Sequence, residues 1–150
     1  MIMAAALLAD LGMLHIDPVV FRPDEALGDS QRQQLHAHPW LSAQLIEPHH
    51  AYPQPVLRAV LEHHERLDGS GYPRALRADA LSPWGRLLAL ALVVAAMFGS
   101  GRPQPQSRLS LLLRMNRGRY DEAAVARLDG LLDAAAPAPP AALSAAEVTD

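Results

Sequence analysis

At 150 residues with a formal charge of −3, the chain suits one domain with a sizeable core, and it has neither a basic footprint for nucleic acid nor a polybasic membrane patch. It contains no cysteine, which excludes disulfides and thiolate metal ligands. Half of its residues are hydrophobic but only 5% are aromatic, so Ala, Leu and Val are expected to build the core.

Apolar residues recur at helical spacing and no stretch alternates as a half-buried strand would, which predicts an all-α fold. The first helix is expected near Ala4–Leu11; its stretch MIMAAALLADLGMLHI lacks a signal peptide's positive start and is interrupted by Asp10, so it reads as buried. The loop IDPVVFRPDEALGD leads to a helix over Ser30–Ile46, with Ser30 as N-cap. EPHHAYPQ then precedes a helix over Pro55–Arg66, where Pro55 suits a first turn. DGSGYPRALRADALSP is turn chemistry. The next helix, Pro83–Phe98, holds the most apolar run, LLALALVVAAMF, which is shorter than the roughly twenty residues needed to cross a bilayer. It reads as a core helix of a cytoplasmic protein with no membrane span. GSGRPQPQS separates it from helices at Leu109–Arg114 and Asp121–Leu132. The domain is thus expected over residues 1–133, with residues 134–150 an Ala/Pro-rich disordered tail.

Histidine and carboxylate are suitable ligands for Fe, Mn or Zn, and such ions can activate a hydroxide for attack on phosphorus. Taken one at a time, each histidine here is more commonly a solvated or satisfied side chain than a ligand. His36 and His38 are two apart on a helix and cannot face the same way; His38, followed by Pro39, is the candidate and His36 the surface residue. His63 and His64 are neighbours about a third of a turn apart that could serve two adjacent metals, or one metal and a substrate phosphate, but are not expected to grip one ion easily together. His15, His49 and His50 read as structural or solvent-exposed. Asp10 is a ligand if histidines converge on it, and otherwise a cap or a partly exposed acid.

HHERLDGSGYPRAL, from His63 to Leu76, is far more specific than any single histidine. It matches at every signature position the HHE-x-x-DGxGYP segment of the HD-GYP family, a branch of the HD phosphohydrolase superfamily. HAHPWLSAQLI resembles the family's HP-x-x-G helix, with Ser42 where Gly is usual, and LLADLGMLHIDPVVF resembles LLHDIGKIGIPD. GRLLALALVVAAMFGSGRP resembles a later helix that usually reads RILAIADVFDALTSDRP, and RGRYDEAAVARL resembles a closing helix. The resemblance covers most of Ala5 to Leu132. It implies a helical bundle of the HD-domain type and hydrolysis of the bacterial second messenger cyclic di-GMP at a bi- or trinuclear metal centre. It implies Asp10, His38, His63 and His64 as metal ligands, with Asp10 and His64 at the reaction if the site is active. The loop Asp68, Gly69, Gly71, Tyr72 and Pro73 is implied to meet substrate or a partner, since the family's GYP loop is associated with docking onto GGDEF-domain cyclases.

The chain also departs from the pattern. Ala9 stands where the family has the His of its His-Asp pair, Met13 where it has a lysine, and Leu92 where it has a metal-binding aspartate. None of these can ligate as the usual residue does. The family's earlier helices are expected to lie outside this chain. These departures predict a degenerate member, impaired in phosphodiester hydrolysis, that holds a divalent ion weakly or not at all and acts through binding or protein contacts. An active phosphodiesterase with an altered metal site is the alternative. Apolar faces on Ala4–Leu11 and Leu87–Phe98 predict a homo-oligomer or a covering partner.

Overall fold

A computed structural model describes residues 1–22, 26–99 and 105–134. Among the described residues the fold is helical and contains no strand, only an isolated bridge between Asp68 and Arg77. The helices are α1 (Ile2–Leu8), α2 (Asp29–Ile46), α3 (Gln54–Glu62), α4 (Pro83–Gly99), α5 (Pro105–Met115) and α6 (Glu122–Ala134). Short 3-10 turns join them at Leu11–His15, Pro18–Phe21, Glu47–His49 and Ala78–Ala80. Among the described residues, no helix is long and apolar enough to cross a membrane. The tail expected at the C-terminus lies outside the described residues beyond Ala134.

Two apolar clusters hold the bundle together. The first gathers Ala5 and Ala9, Ala43 and Ile46 of α2, Val60 of α3 and Leu88 of α4. The second joins the later part of α4, through Leu90, to Leu109 and Leu113 of α5, with Val125 and Leu128 of α6 on its rim. Leu88 is fully buried, and truncating such a leucine to alanine typically costs about 2–5 kcal/mol. The core is aliphatic, as the composition implied.

Several helix ends differ from the expectation, each for a local reason. The N-cap of α2 is Gly28, not Ser30: the extended Gly28 donates its N–H to Gln31 Oε1 at 2.6 Å, and Ser30 falls within the first turn. Helix α1 stops at Leu8, because the Ala9 carbonyl accepts from the Ser42 hydroxyl (2.6 Å) and Met13 N–H bonds Asp10 O (2.9 Å) to start a 3-10 turn. Asp10 is therefore at a junction and exposed, rather than buried inside a helix. Helix α3 ends at Glu62 rather than Arg66, as Glu65 N–H closes a tighter bond to Glu62 O at 2.8 Å. Helix α5 begins at Pro105, ahead of the expected Leu109, with proline in the first turn where its missing N–H costs nothing. At α6, the Asp121 carboxylate accepts from Ala124 N–H (3.0 Å) as a cap does.

Candidate metal centre

The site begins with two interruptions of helical hydrogen bonding. Within α2, Pro39 has no N–H to give to the carbonyl four residues back, so Leu35 O is left open. His38 Nδ1 fills that vacancy at 2.5 Å. At the end of α3, Val60 is among the last carbonyls without an intrahelical donor, and His63 Nδ1 reaches it at 2.6 Å. A carbonyl can only accept, so both Nδ1 atoms carry the proton and both neutral rings present a bare Nε2. This is the tautomer and ring anchoring that metal-ligating histidines use.

The two Nε2 atoms lie 3.2 Å apart, and Asp10 Oδ1 sits 3.3 Å from that of His38 and 3.6 Å from that of His63. Two lone pairs and a carboxylate at such distances repel unless a cation stands among them. Donors around one four-coordinate ion are separated by roughly 3.4 Å, so these gaps suit a single ion. His64 completes the group: one ligand atom from each of Asp10, His38, His63 and His64 lies within 4.8 Å of the others. This differs from the expectation for adjacent histidines: past the end of α3 the chain leaves helical geometry, and His63 and His64 each bring a ligand atom to the same point. Among the described residues no other acid or histidine joins them. Burial lowers His64 to about 3, so its ring is neutral and able to ligate. All-N/O donors of this kind fit Fe, Mn or Zn.

Around the cluster lies the DGSGYP loop. Tyr72 is stacked between His64 (centroids 4.7 Å) and His36 of α2 (4.2 Å), and burial raises its phenol to about 12. The Tyr72–Pro73 bond is cis. Gly69 has φ +79, and a Cβ on Gly71 would lie 2.4 Å from the Glu65 Cα and the Arg66 N, so both positions require glycine. Asp68 is exposed and bonds Ser70 and Arg119. Pro73 and Arg74 form the exposed tip.

Two residues carry more of this architecture than the sequence suggested. Glu65 is fully buried and accepts the N–H groups of Arg74 (2.7 Å) and Leu76 (2.9 Å), which folds the loop back over the site. Glu62 is also fully buried and binds Ser82 N–H (2.7 Å), the Ser82 hydroxyl (2.6 Å) and Arg58 Nε (2.8 Å), tying α3 to the start of α4. Their signal was faint, because partners 9 to 20 residues away in loops follow no helical spacing. The remaining expectations hold in position: His15, His36, His49 and His50 are exposed. Ala9 is fully buried in the first core cluster, and Leu92 packs against that same cluster.

Residues 1–124 match the family model described as HD domain. The chain is 34% identical over 124 residues to the 3'3'-cGAMP-specific phosphodiesterase 1 of Vibrio cholerae serotype O1, covering 82% of this chain and 28% of that protein. It is 33% identical over 105 residues to the cyclic di-GMP phosphodiesterase response regulator RpfG of Xanthomonas campestris pv. campestris, covering 69% and 27%. The solved structure of Bd1817, a HDG"Y"P protein from Bdellovibrio bacteriovorus, shares the fold with a TM-score of 0.67 at 20% identity, over 86% of this chain and 42% of that one. The chain thus spans about a quarter of the length of these two curated relatives. With the family match running over most of its length and the HHE-x-x-DGxGYP segment intact, the chain belongs to the HD domain family, in its HD-GYP branch.

Proposed function

We propose that residues 1–133 form a cytoplasmic, degenerate HD-GYP domain of cyclic di-GMP signalling, impaired in phosphodiester hydrolysis and acting by ligand binding or protein contacts. One observation carries this reading. Asp10, His38, His63 and His64 keep a donor set for a single ion, while the positions where the family pattern reads His and Asp are Ala9, in the aliphatic core, and Leu92, packed against it. A divalent ion bound there, Fe, Mn or Zn, would supply Lewis-acid polarisation of a phosphoryl oxygen and lower the pKa of bound water. His38 and His63 hold their rings by Nδ1, Asp10 neutralises the ion, and His64 lies under Tyr72 at the edge facing the loop. With Met13 in place of a lysine, no side-chain cation from that position meets a phosphate, and losing such an electrostatic group commonly removes about 3–4 kcal/mol of transition-state stabilisation.

The exposed tip of the GYP loop, backed by Glu65, supports a docking role toward a GGDEF-domain protein. Exposed apolar side chains on α1 and α4 support self-association or a covering partner. The test is a cyclic di-GMP hydrolysis assay with added Mn(II) or Fe(II) and product analysis. Little or no turnover is expected from the unaltered chain. A second reading, an active phosphodiesterase with an altered site, is favoured by the completeness of the four-donor group and by the activities named for its relatives. Robust hydrolysis abolished by His63→Ala would establish that reading and end the first.

A further inference from the structure

Asp10 poses a positional problem. Its side chain is 62% exposed, so no packed neighbours lock the carboxylate, and it makes no capping bond to the 3-10 turn that it precedes. Yet Oδ1 is held within 3.6 Å of both anchored Nε2 atoms. Its position must come from the backbone on either side. That backbone is gripped by one hydroxyl. Ser42, fully buried on α2 and four residues after His38, donates to Ala9 O at 2.6 Å and accepts from Gly12 N–H at 2.8 Å. The two bonded groups bracket Asp10. They are also the groups orphaned where α1 stops and the 3-10 turn starts, and only a side chain that both donates and accepts can satisfy them together. Gly12 makes the approach possible, because a Cβ there would lie 2.3 Å from His38 O and 2.9 Å from Ser42 N.

We infer that Ser42 is a positioning residue for the metal site: its hydroxyl clamps the Ala9–Gly12 turn and thereby sets the Asp10 carboxylate against His38 and His63. The inference rests on the metal-site reading above and deepens it. Glycine, usual at this position in the family pattern, has no hydroxyl, so the clamp belongs to this chain's own sequence.

The test titrates the full chain with Zn(II), which three imidazoles hold without a carboxylate, against a chromogenic chelator. Ser42→Ala is expected to weaken Zn(II) binding roughly 10–100-fold, the usual effect of losing a group that orients a ligand. In an Asp10→Ala background the same change should add less than about twofold, since Ser42 acts through Asp10. Leu113→Ala, in the second core, lowers stability without touching the site and should leave Zn(II) affinity unchanged while the chain is folded. If circular dichroism shows Ser42→Ala unfolded, Ser42→Gly, the residue usual in the family pattern, takes its place and should weaken Zn(II) binding to the same degree. Wild-type affinity in the serine variant overturns the inference, as does a full loss persisting without Asp10. If the unaltered chain binds no Zn(II), the metal-site reading itself falls; if it binds and Ser42 proves indifferent, only the clamp does.

Discussion

Replacing Glu62 by alanine should be among the most damaging single changes in the molecule, though Glu62 touches no proposed ligand atom. Its buried carboxylate accepts from the Ser82 amide, the Ser82 hydroxyl and Arg58 Nε. Hydrogen bonds to a charged group contribute roughly 1.5–3 kcal/mol each, and the two from buried Ser82 dominate. The bond from Arg58, more than half exposed, adds only about 0.2–1 kcal/mol. Some of the loss is recovered, because the freed guanidinium returns to water and the Ser82 hydroxyl keeps its bond from Gly85 N–H. A loss of about 3–5 kcal/mol follows. Glu62→Gln keeps the shape and one acceptor oxygen but turns an amide NH2 toward a donor, so roughly half that loss is expected. Urea unfolding followed by far-UV circular dichroism measures both, and heating should show a midpoint lower by roughly 10 °C for the alanine variant. If Glu62→Ala unfolds within about 1 kcal/mol of the parent, the carboxylate is not the tie between α3 and α4 that its bonds indicate.

Acid should destabilise the metal-free protein. His64 falls from 6.5 to about 3 on folding, so the unfolded chain binds the extra proton, and stability is lost as pH drops below about 6.5, by up to ~1.4 kcal/mol per unit. Urea midpoints that stay flat between about pH 7 and about pH 5 would contradict the buried neutral ring. The triple variant Ala9→His, Met13→Lys, Leu92→Asp should bind more Mn(II) by metal analysis than the parent, be less stable without metal because Asp at position 92 enters the apolar cluster, and regain stability when Mn(II) is added. Equal metal content in the two proteins would show that the scaffold no longer presents those positions to the ion. Met3, Leu7 and Leu87 are large exposed apolar side chains on α1 and α4, so sedimentation should detect self-association that Leu7→Glu weakens; a parent chain that is monomeric at all concentrations refutes this.

The order and type of the helices were legible because each buries one face, and that leaves a period in the sequence. The four candidate ligands were legible for a different reason: a motif names residue types in a fixed order, and Asp10, His38, His63 and His64 do come to one point. The helix ends were less so. Ser42 stops α1 from 33 residues away, and Glu65 bends the chain through amides 9 and 11 residues ahead, neither of which any local window contains. Buried carboxylates were missed on the same ground. A glutamate in a helix reads as solvated until its distant donors are known, and those of Glu62 come mainly from Ser82.

Helix α4 belongs to both apolar clusters, with Leu88 in one and Leu90 in the other, whereas the three segments that carry the four candidate ligands line the first alone. Helices α5 and α6 meet the GYP loop at their connecting turn, through Arg119 O to Leu67 N–H, the Arg119–Asp68 ion pair and Tyr120 beneath Arg66. For a lineage under drift, this divides the molecule by tolerance. Side chains of the α5–α6 hairpin that fill the second cluster can exchange sizes among themselves while the carboxylate and imidazoles keep their places, so long as the turn at Arg119 and Tyr120 survives. Insertions and swapped hairpins are accommodated at that end of α4, and the chemistry evolves at the other.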